Sequence, residues 1–575
     1  MSDEIIKLKK EIDRLKKSVK KQRYGLVWMN IPEAFEDNVE NKLPVLKEVP
    51  ELAIKNNDGK PTHILIEGDN YHALTCLNYT HGNKIDVIYI DPPYNTGSDG
   101  FRYRDKRIME KFPDGTEVPR DHPFRHSYWL SFMNKRLELA KNLLKDTGVI
   151  FISIDDNEQA QLKLLCDKVF GENNFLANFI WHRTQTPPRL SKNVAHVHDY
   201  ILCYAKKITS VQLNKIPLKE DYVKKTYKNP DSDPRGPWRL VPLLQPDSSL
   251  NKEFTLKMPD GRNIKGKWRC SKETFNEYIK DKRLVISKTG NPNRKLFLSE
   301  IEGQISDTWL DNVATNEMGS KEIEEFFGTN AYFTSPKPVY LISYLLNLSS
   351  NKDSLILDFF AGSGTTGQAV LETNNSDNGN RKFILCTNNE VDEKTEKELV
   401  EKGIQKTSPE YEKEGICQKV CYPRLKKVIN GYIIQNNEKV NGLGSSLKYY
   451  KTAFIGKNNI LDATDEDKIE LAHNAGELLA IAENTLELVK QNKYYQLFEE
   501  HFKEKYTAIY FREELDQFDK FIEMVKKLDK KITVYVFSWG EEEFVDEFDN
   551  LDNVKVKTIP LPILEIYRNI YNLVK

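Results

Sequence analysis

Four consecutive residues, Asp91-Pro-Pro-Tyr94, combine a carboxylate, two ring-fixed backbone positions and an aromatic face. They follow Ile85-Asp-Val-Ile-Tyr-Ile90, an apolar run that reads as a buried parallel strand. A rigid platform at a strand's carboxyl end lies in the crevice where open α/β sheets bind ligands. There a flipped-out nucleobase can stack on Tyr94 while its exocyclic amine donates hydrogen bonds to Asp91 and to the Pro92 carbonyl. The chemistry these residues suit is methyl transfer onto a base amine, with Asp91, Pro92, Pro93 and Tyr94 as the candidate catalytic set.

A methyl donor needs a second element, a glycine-rich turn between a strand and a helix. Ser354-Leu-Ile-Leu-Asp-Phe-Phe360 reads as a second buried strand, then Ala361-Gly-Ser-Gly-Thr-Thr-Gly-Gln368 as the turn, then Ala369-Val-Leu-Glu372 in helical rhythm. Gly362 and Gly364 let the backbone approach a ligand, and the helix amino terminus beyond favours a carboxylate. That environment fits the methionine end of S-adenosylmethionine. Gly362, Gly364 and Gly367 also satisfy the dinucleotide fingerprint, so a nicotinamide or flavin cofactor competes. In that reading a strand with a terminal acid should follow, yet Lys382-Phe-Ile-Leu-Cys-Thr387 runs into Asn388-Asn389 before Glu390 is reached. With the separate Asp-Pro-Pro-Tyr platform, the balance favours S-adenosylmethionine.

On these motifs the chain resembles the amino-methyltransferases that modify adenine N6 or cytosine N4 in DNA. The order, Asp-Pro-Pro-Tyr first and Phe-x-Gly-x-Gly later, is that of the class called beta. More narrowly, it resembles the modification subunit of type III restriction-modification systems. That likeness rests on Leu65-Ile-Glu-Gly-Asp-Asn70, Asp91-Pro-Pro-Tyr-Asn-Thr-Gly97, Ser335-Pro-Lys-Pro338, Tyr422-Pro-Arg-Leu425 and the tail Ile559-Pro-Leu-Pro-Ile-Leu564. The resemblance implies a Rossmann-like α/β methyltransferase sheet interrupted by a target-recognition insertion. It implies an S-adenosylmethionine site lined by Phe360, Ala361, Gly362, Gly364 and Thr365, with Asp358 and Lys337 nearby and Asp69 toward the cofactor adenine. Thr387 stands where the family places an acid on the cofactor ribose, so Asn389 or Glu390 is the expected substitute.

The implied activity is site-specific methylation of adenine N6 in duplex DNA by base flipping, without a metal. Cytosine N4 methylation and a non-catalytic DNA-binding subunit are the alternatives. An initial Asp favours adenine by resemblance, although both bases offer Asp91 the same amine geometry. No G-x-x-x-x-G-K-[ST] phosphate loop occurs in the sequence, so ATP-driven cleavage would need a separate restriction subunit, and a homodimer is expected.

Charge distribution agrees. The formal net charge is −1, but Trp181 to Glu300 holds 25 Lys and Arg against 12 Asp and Glu, whereas Val440 to Lys575 holds 18 against 25. A basic middle is the footprint of phosphate contacts. The seven cysteines include no C-x-x-C pair, and His196-Val-His198-Asp199 leads straight into a strand-like run with no third ligand nearby, so neither suggests a metal. The charged first segment is no signal peptide, and no uncharged run approaches the ~20 residues of a membrane helix. A reduced, cytoplasmic protein is the expectation.

The elements that must position these motifs divide the chain into five parts. Ile5, Leu8, Ile12, Leu15 and Val19 predict a helical arm within residues 1–30, with nine basic residues against two acidic ones between Ile5 and Arg23. Residues 31–180 form the half of the sheet carrying Asp91, including a helix over Ser127 to Leu144 and a strand over Gly148 to Ile154. A polar stretch from Asn95 to Arg125 is expected either to close over the target base or touch the strand backbone, or to be a plain surface loop. Residues 181–330, with Trp238 and Trp268, form the target-recognition domain, and 331–440 the cofactor half. Residues 441–575 form a small α/β module, with a helix over Leu471 to Gln491 and a strand over Thr533 to Phe537, for dimerisation or partner docking.

Overall fold

Apolar runs of four to eight residues between polar turns become the strands of one large sheet. The computed structural model describes residues 28, 42–96, 123–186, 193–218, 220–244, 253–287, 289–311, 313–329, 332–333, 335–434, 437–456, 465–500, 503–511, 517–537, 544, 546–561 and 563–564. The predicted amino-terminal helix and most of the polar stretch between Asn95 and Arg125 lie outside them. The chain forms two compact units, Met1–Gln212 with Asp307–Lys575, and Leu213–Ser306.

The first unit opens with β1 (Lys42–Glu48), β2 (Thr62–Glu67), α1 (Asn70–Thr80) and β3 (Ile85–Ile90). Next come α2 (Ser127–Leu143), β4 (Leu144–Ile154), α3 (Gln159–Phe170), β5 (Phe175–His182) and β6 (His198–Ala205). The second unit follows, with α4 (Glu220–Thr226), β7 (Trp238–Pro242), β8 (Glu253–Lys257), β9 (Asn263–Lys267), α5 (Lys272–Lys280), β10 (Leu284–Ile286) and β11 (Pro292–Phe297). The chain then returns to the first unit through β12 (Trp309–Leu310), α6 (Asn316–Phe327), α7 (Val339–Ser349), β13 (Leu355–Asp358), α8 (Thr365–Asp377) and β14 (Lys382–Thr387). Helices α9 (Glu393–Glu401), α10 (Pro409–Glu412) and α11 (Tyr422–Asn430) precede the hairpin of β15 (Gly431–Ile433) and β16 (Lys439–Asn441), and β17 (Ser446–Gly456). Last come α12 (Asp465–Glu483), β18 (Glu487–Gln491), β19 (Tyr495–Glu499), β20 (Lys505–Phe511), α13 (Phe518–Lys526), β21 (Lys531–Phe537) and β22 (Val554–Val556).

Ten strands form the main sheet in the order β1-β17-β2-β14-β13-β3-β4-β6-β5-β12. The stretch from β17 to β4 is parallel throughout, as expected for strands covered by helices on both faces. The two strands that carry the motifs are neighbours. Ile356 pairs with Val87 and Leu357 with Ile88, although 358 − 91 = 267 residues separate the motif acids. Asp86 locks this junction, its Oδ2 accepting from the Leu355 amide at 2.8 Å while Oδ1 pairs with Lys145 at 2.7 Å.

Two expected boundaries shift. A recognition domain beginning at Trp181 would cut the last two residues off β5. Trp181 is fully buried, donates its indole N–H to the Ala314 carbonyl at 2.8 Å and pairs with Asp199, so β5, β6 and β12 belong to the main sheet. The separate unit begins at Leu213 and ends at Ser306. It carries its own core of Leu243, Leu256, Met258, Trp268 and Phe275. Likewise β17, beyond the expected boundary at 440, lies inside the main sheet between β1 and β2.

The five strands β18-β19-β20-β21-β22 form a second sheet in that order, mixed in direction. The helix predicted over Leu471 to Gln491 ends at Glu483, because Asn484 takes a left-handed φ of 58° and β18 follows. Glu483 ties this helix down. Its carboxylate accepts from Lys557 at 2.6 Å and Tyr535 at 2.9 Å, and Lys505 also pairs with it.

Candidate active site

At the carboxyl ends of β3 and β13 lies a cavity of about 600 Å³. Asp91, Pro92, Pro93 and Tyr94 line one wall; Asp358, Phe360, Ala361, Gly362 and Thr365 line the other. Both motifs thus open into one space, of the size that binds small ligands.

The platform is propped from below. Trp129 of α2 donates its indole N–H to the Pro93 carbonyl at 2.7 Å, which fixes the second proline of the platform. Asn95 closes the motif with a φ of 62°, a conformation that asparagine tolerates better than most residues. Its amide donates to Glu158 Oε1 at 2.5 Å, and His126 Nδ1 meets the same oxygen at 2.7 Å. Glu158 is fully buried, so this clamp fixes the backbone where the platform ends.

On the opposite wall, Gly362 and Gly364 hold φ of 50° and 80°. A methyl group on Gly362 would stand 2.9 Å from the Phe333 ring, so only glycine lets the turn pass beneath that ring. Asp358 anchors the turn, accepting from the Phe360 amide at 2.9 Å and from the Thr366 hydroxyl at 2.5 Å. Burial pushes its carboxyl up to about 7, against which these two hydrogen bonds pull. Arg424, in the Tyr422-Pro-Arg-Leu425 motif, is fully buried. It donates to Ser363 at 3.2 Å, Thr365 at 2.9 Å, Gln368 at 2.7 Å and Glu322 at 3.1 Å. The Glu322 carboxylate accepts in turn from the Val339 amide at 3.1 and 3.2 Å, capping α7 directly after Ser335-Pro-Lys-Pro338. Arg424 therefore ties the glycine turn to the segment that carries Lys337.

Lys337 is buried and places its Nζ 2.8 Å from both oxygens of Asp91 and 4.9 Å from the centre of the Tyr94 ring. Beside them stands Asp199, paired with Arg183 at 3.1 Å; burial pushes its carboxyl up to about 6 while Lys337 and Arg183 pull it down. Burial and the nearby Asp91 charge hold the Tyr94 hydroxyl strongly toward its neutral form.

Three of the expected cofactor residues are placed elsewhere. Asp69 caps α1 by accepting from the Tyr71 amide at 2.7 Å and pairs with Arg136, while Asn70 lines the cavity and holds the Phe359 carbonyl at 2.8 Å. Gly364 precedes α8 and packs under Cys421 rather than lining the cavity. Asn389 is spent on loop structure, donating to the Glu412 carbonyl at 2.6 Å and accepting from the Gln418 amide at 3.0 Å. Thr387, Asn388 and Glu390 line the cavity instead, so of the two substitutes for the ribose acid only Glu390 faces the space. Arg183, Asp199 and Phe333 also line it and were not anticipated. For the first two the reason is strand direction, which the order of residues does not show. Strand β6 runs antiparallel to β4, which puts its first residues at the carboxyl edge of the parallel strands, and β5 returns to that edge.

The site residues span the region by which the chain matches a known family. A family model described as DNA methylase matches residues 85–395, and the chain belongs to that family. The chain is 37% identical over 449 residues to the type III restriction-modification enzyme StyLTI Mod subunit of Salmonella typhimurium, covering 74% of this chain and 66% of that protein. It is 32% identical to the EcoPI Mod subunit of Escherichia phage P1, with 65% of each chain covered. It is 35% identical to the type II methyltransferase M.KpnI of Klebsiella pneumoniae, covering 57% of this chain and 81% of that one. The chain thus spans just under two thirds of the length of the two Mod subunits.

Proposed function

We propose that the protein is a site-specific DNA methyltransferase that uses S-adenosylmethionine to methylate adenine N6 in duplex DNA, as the modification subunit of a type III restriction-modification system. The observation that carries this reading is the single cavity walled by Asp91-Pro-Pro-Tyr94 and by the glycine turn after β13. Two Mod subunits among the relatives support the type III assignment.

The residues present fit the cofactor. A turn whose Gly362 admits no side chain, the amino end of α8 and the acid Glu390 at the carboxyl end of β14 offer a close backbone approach, an anion-favouring terminus and a hydroxyl acceptor. When bound, S-adenosylmethionine supplies an electrophilic methyl group on a sulfonium. Asp91 and the Pro92 carbonyl accept both hydrogens of the target amine. Its lone pair, otherwise delocalised into the ring, is thereby directed toward the donor. As the new N–C bond would form and the S–CH3 bond break, its electron pair staying on the neutral thioether that leaves, the amine nitrogen gains positive charge and the Asp91 interaction strengthens, which is differential stabilisation of the transition state. Tyr94 holds the extruded base by stacking, a contact worth ~1–3 kcal/mol. The released amine proton leaves through the acceptors that held it.

The unit Leu213–Ser306 is the part assigned to target recognition, with 20 Lys and Arg against 12 Asp and Glu. A separate restriction subunit and a homodimer complete the proposal. Single-molecule sequencing of DNA from cells expressing the protein tests it. N6-methyladenine in one recurring short sequence is expected; N4-methylcytosine would overturn the base assignment, and unmodified DNA the activity.

A further inference from the structure

The position of Lys337 is at odds with the reaction assigned to Asp91. Its ammonium lies 2.8 Å from both carboxylate oxygens and 4.9 Å from the centre of the Tyr94 ring, where that carboxylate and that ring must receive the amine and the base. An ammonium there competes for the same acceptor oxygens. It also opposes the positive charge that grows on the amine nitrogen as the methyl group arrives. A residue left in that place would raise the barrier rather than lower it.

The backbone around Lys337 leaves movement to the side chain alone. Pro336 and Pro338 flank it, α6 approaches so closely that a methyl group on Gly319 would stand 2.3 Å from the Pro336 carbonyl oxygen, and Glu322 caps the helix that follows. A second carboxylate waits in the same cavity. Asp199 is buried, its carboxyl already feels the charge of Lys337, and it faces Arg183 at 3.1 Å.

We propose that Lys337 holds the place of the target amine while no base is bound, and that a flipped base enters as this side chain turns from Asp91 toward Asp199. The lysine keeps Asp91 paired in the resting enzyme, so this half-buried carboxylate is not left without a partner. It also sets a threshold: only a base held firmly enough by the surrounding duplex contacts displaces it. Lys337 is thereby a positioning residue whose effect falls on base entry. This rests on the assignment of Asp91 to the base amine.

The test measures steady-state methylation by the full-length protein on a duplex carrying the site mapped by sequencing. Variants Lys337→Met, Asp199→Asn and the double variant are compared, with Asp91→Ala as the control on the underlying assignment. Lys337→Met is expected to lower KM for the duplex several-fold, and Asp199→Asn to raise it several-fold. In the double variant Asp199→Asn should add nothing, because no lysine is left to be received. Calorimetric titration with S-adenosylmethionine separates this role from the cofactor contact that the family resemblance implies for Lys337: because the ammonium is spent on Asp91, the Lys337→Met variant should keep the parent's affinity. The proposal is overturned if Lys337→Met raises KM for the duplex, if the two substitutions act independently, or if the titration shows cofactor binding lost. Should Lys337→Met fail to fold, Lys337→Gln, which keeps the length and removes the charge, answers the same question. Full activity of Asp91→Ala would instead sink the reading of the site itself.

Discussion

At the scale of single residues, the cavity is walled by a strand end on one side and by residues of an antiparallel strand pair beside it. Asp91, Pro92, Pro93 and Tyr94 occupy the cavity wall as their types suggested, because a strand end followed by two prolines has few ways to turn. Asp199 and Arg183 stayed hidden, since their place in the crevice depends on β6 running against β4, and strand direction leaves no mark on residue order. Asp358 gives a test at this scale. Its carboxyl rises from the ordinary value of 3.8 to about 7 on folding, so the folded state binds its proton more tightly than the unfolded chain. The contribution of this group to stability is therefore full below pH 3.8 and declines as the pH climbs toward 7. Asp358→Asn should flatten the fall in urea midpoint between pH 5 and 8; a curve parallel to the parent's would contradict it.

At the scale of elements, the motifs outside the catalytic pair act as fasteners. Arg424 joins α11, the glycine turn, α8 and, through Glu322, the cap of α7. Arg424→Met leaves the half-buried Glu322 beside an apolar side chain. The expected cost is about 3 kcal/mol in chemical denaturation, together with a rise of about tenfold in KM for S-adenosylmethionine as the turn loosens. Unchanged KM would mean that the turn holds its shape without the arginine. Helix α2 and strands β3, β4, β13 and β14 were legible, because buried parallel strands are continuous apolar runs and a long helix keeps a clear period. The end of α12 was not, since Leu486-Glu-Leu-Val489 continues the apolar rhythm past the Asn484 turn, and only pairing with β19 makes it a strand.

At the scale of the whole molecule, the boundaries follow pairing rather than composition. The basic count rises at Trp181, but β5 and β6 stay with the main sheet and the separate unit starts at Leu213. The carboxyl-terminal sheet is joined to the catalytic part through α12, which packs on α1 and β1 and whose Ala482 carbonyl accepts from Lys84 Nζ at 2.7 Å. Glu483 at the end of that helix is held down to about 2 against the cost of burial, by hydrogen bonds from Lys505, Lys557 and Tyr535. Its stabilising contribution is present above pH 4.5 and lost as the pH falls toward 2. Glu483→Gln should destabilise this sheet by about 2 kcal/mol at pH 7 and by much less near pH 2. Hydrogen exchange of β20 and β21 measures this, and equal protection in parent and variant at pH 7 would contradict it.

The central claim is that two motifs 267 residues apart build one reaction site, in which Asp91 accepts from the target amine. Transfer of tritium from labelled S-adenosylmethionine to duplex DNA tests it most directly, with Asp91→Ala beside the parent. The account predicts labelled DNA with the parent and a loss of about 10²–10³-fold in the variant, the scale for removing one electrostatic stabiliser of a transition state. Equal labelling by the two proteins would contradict it.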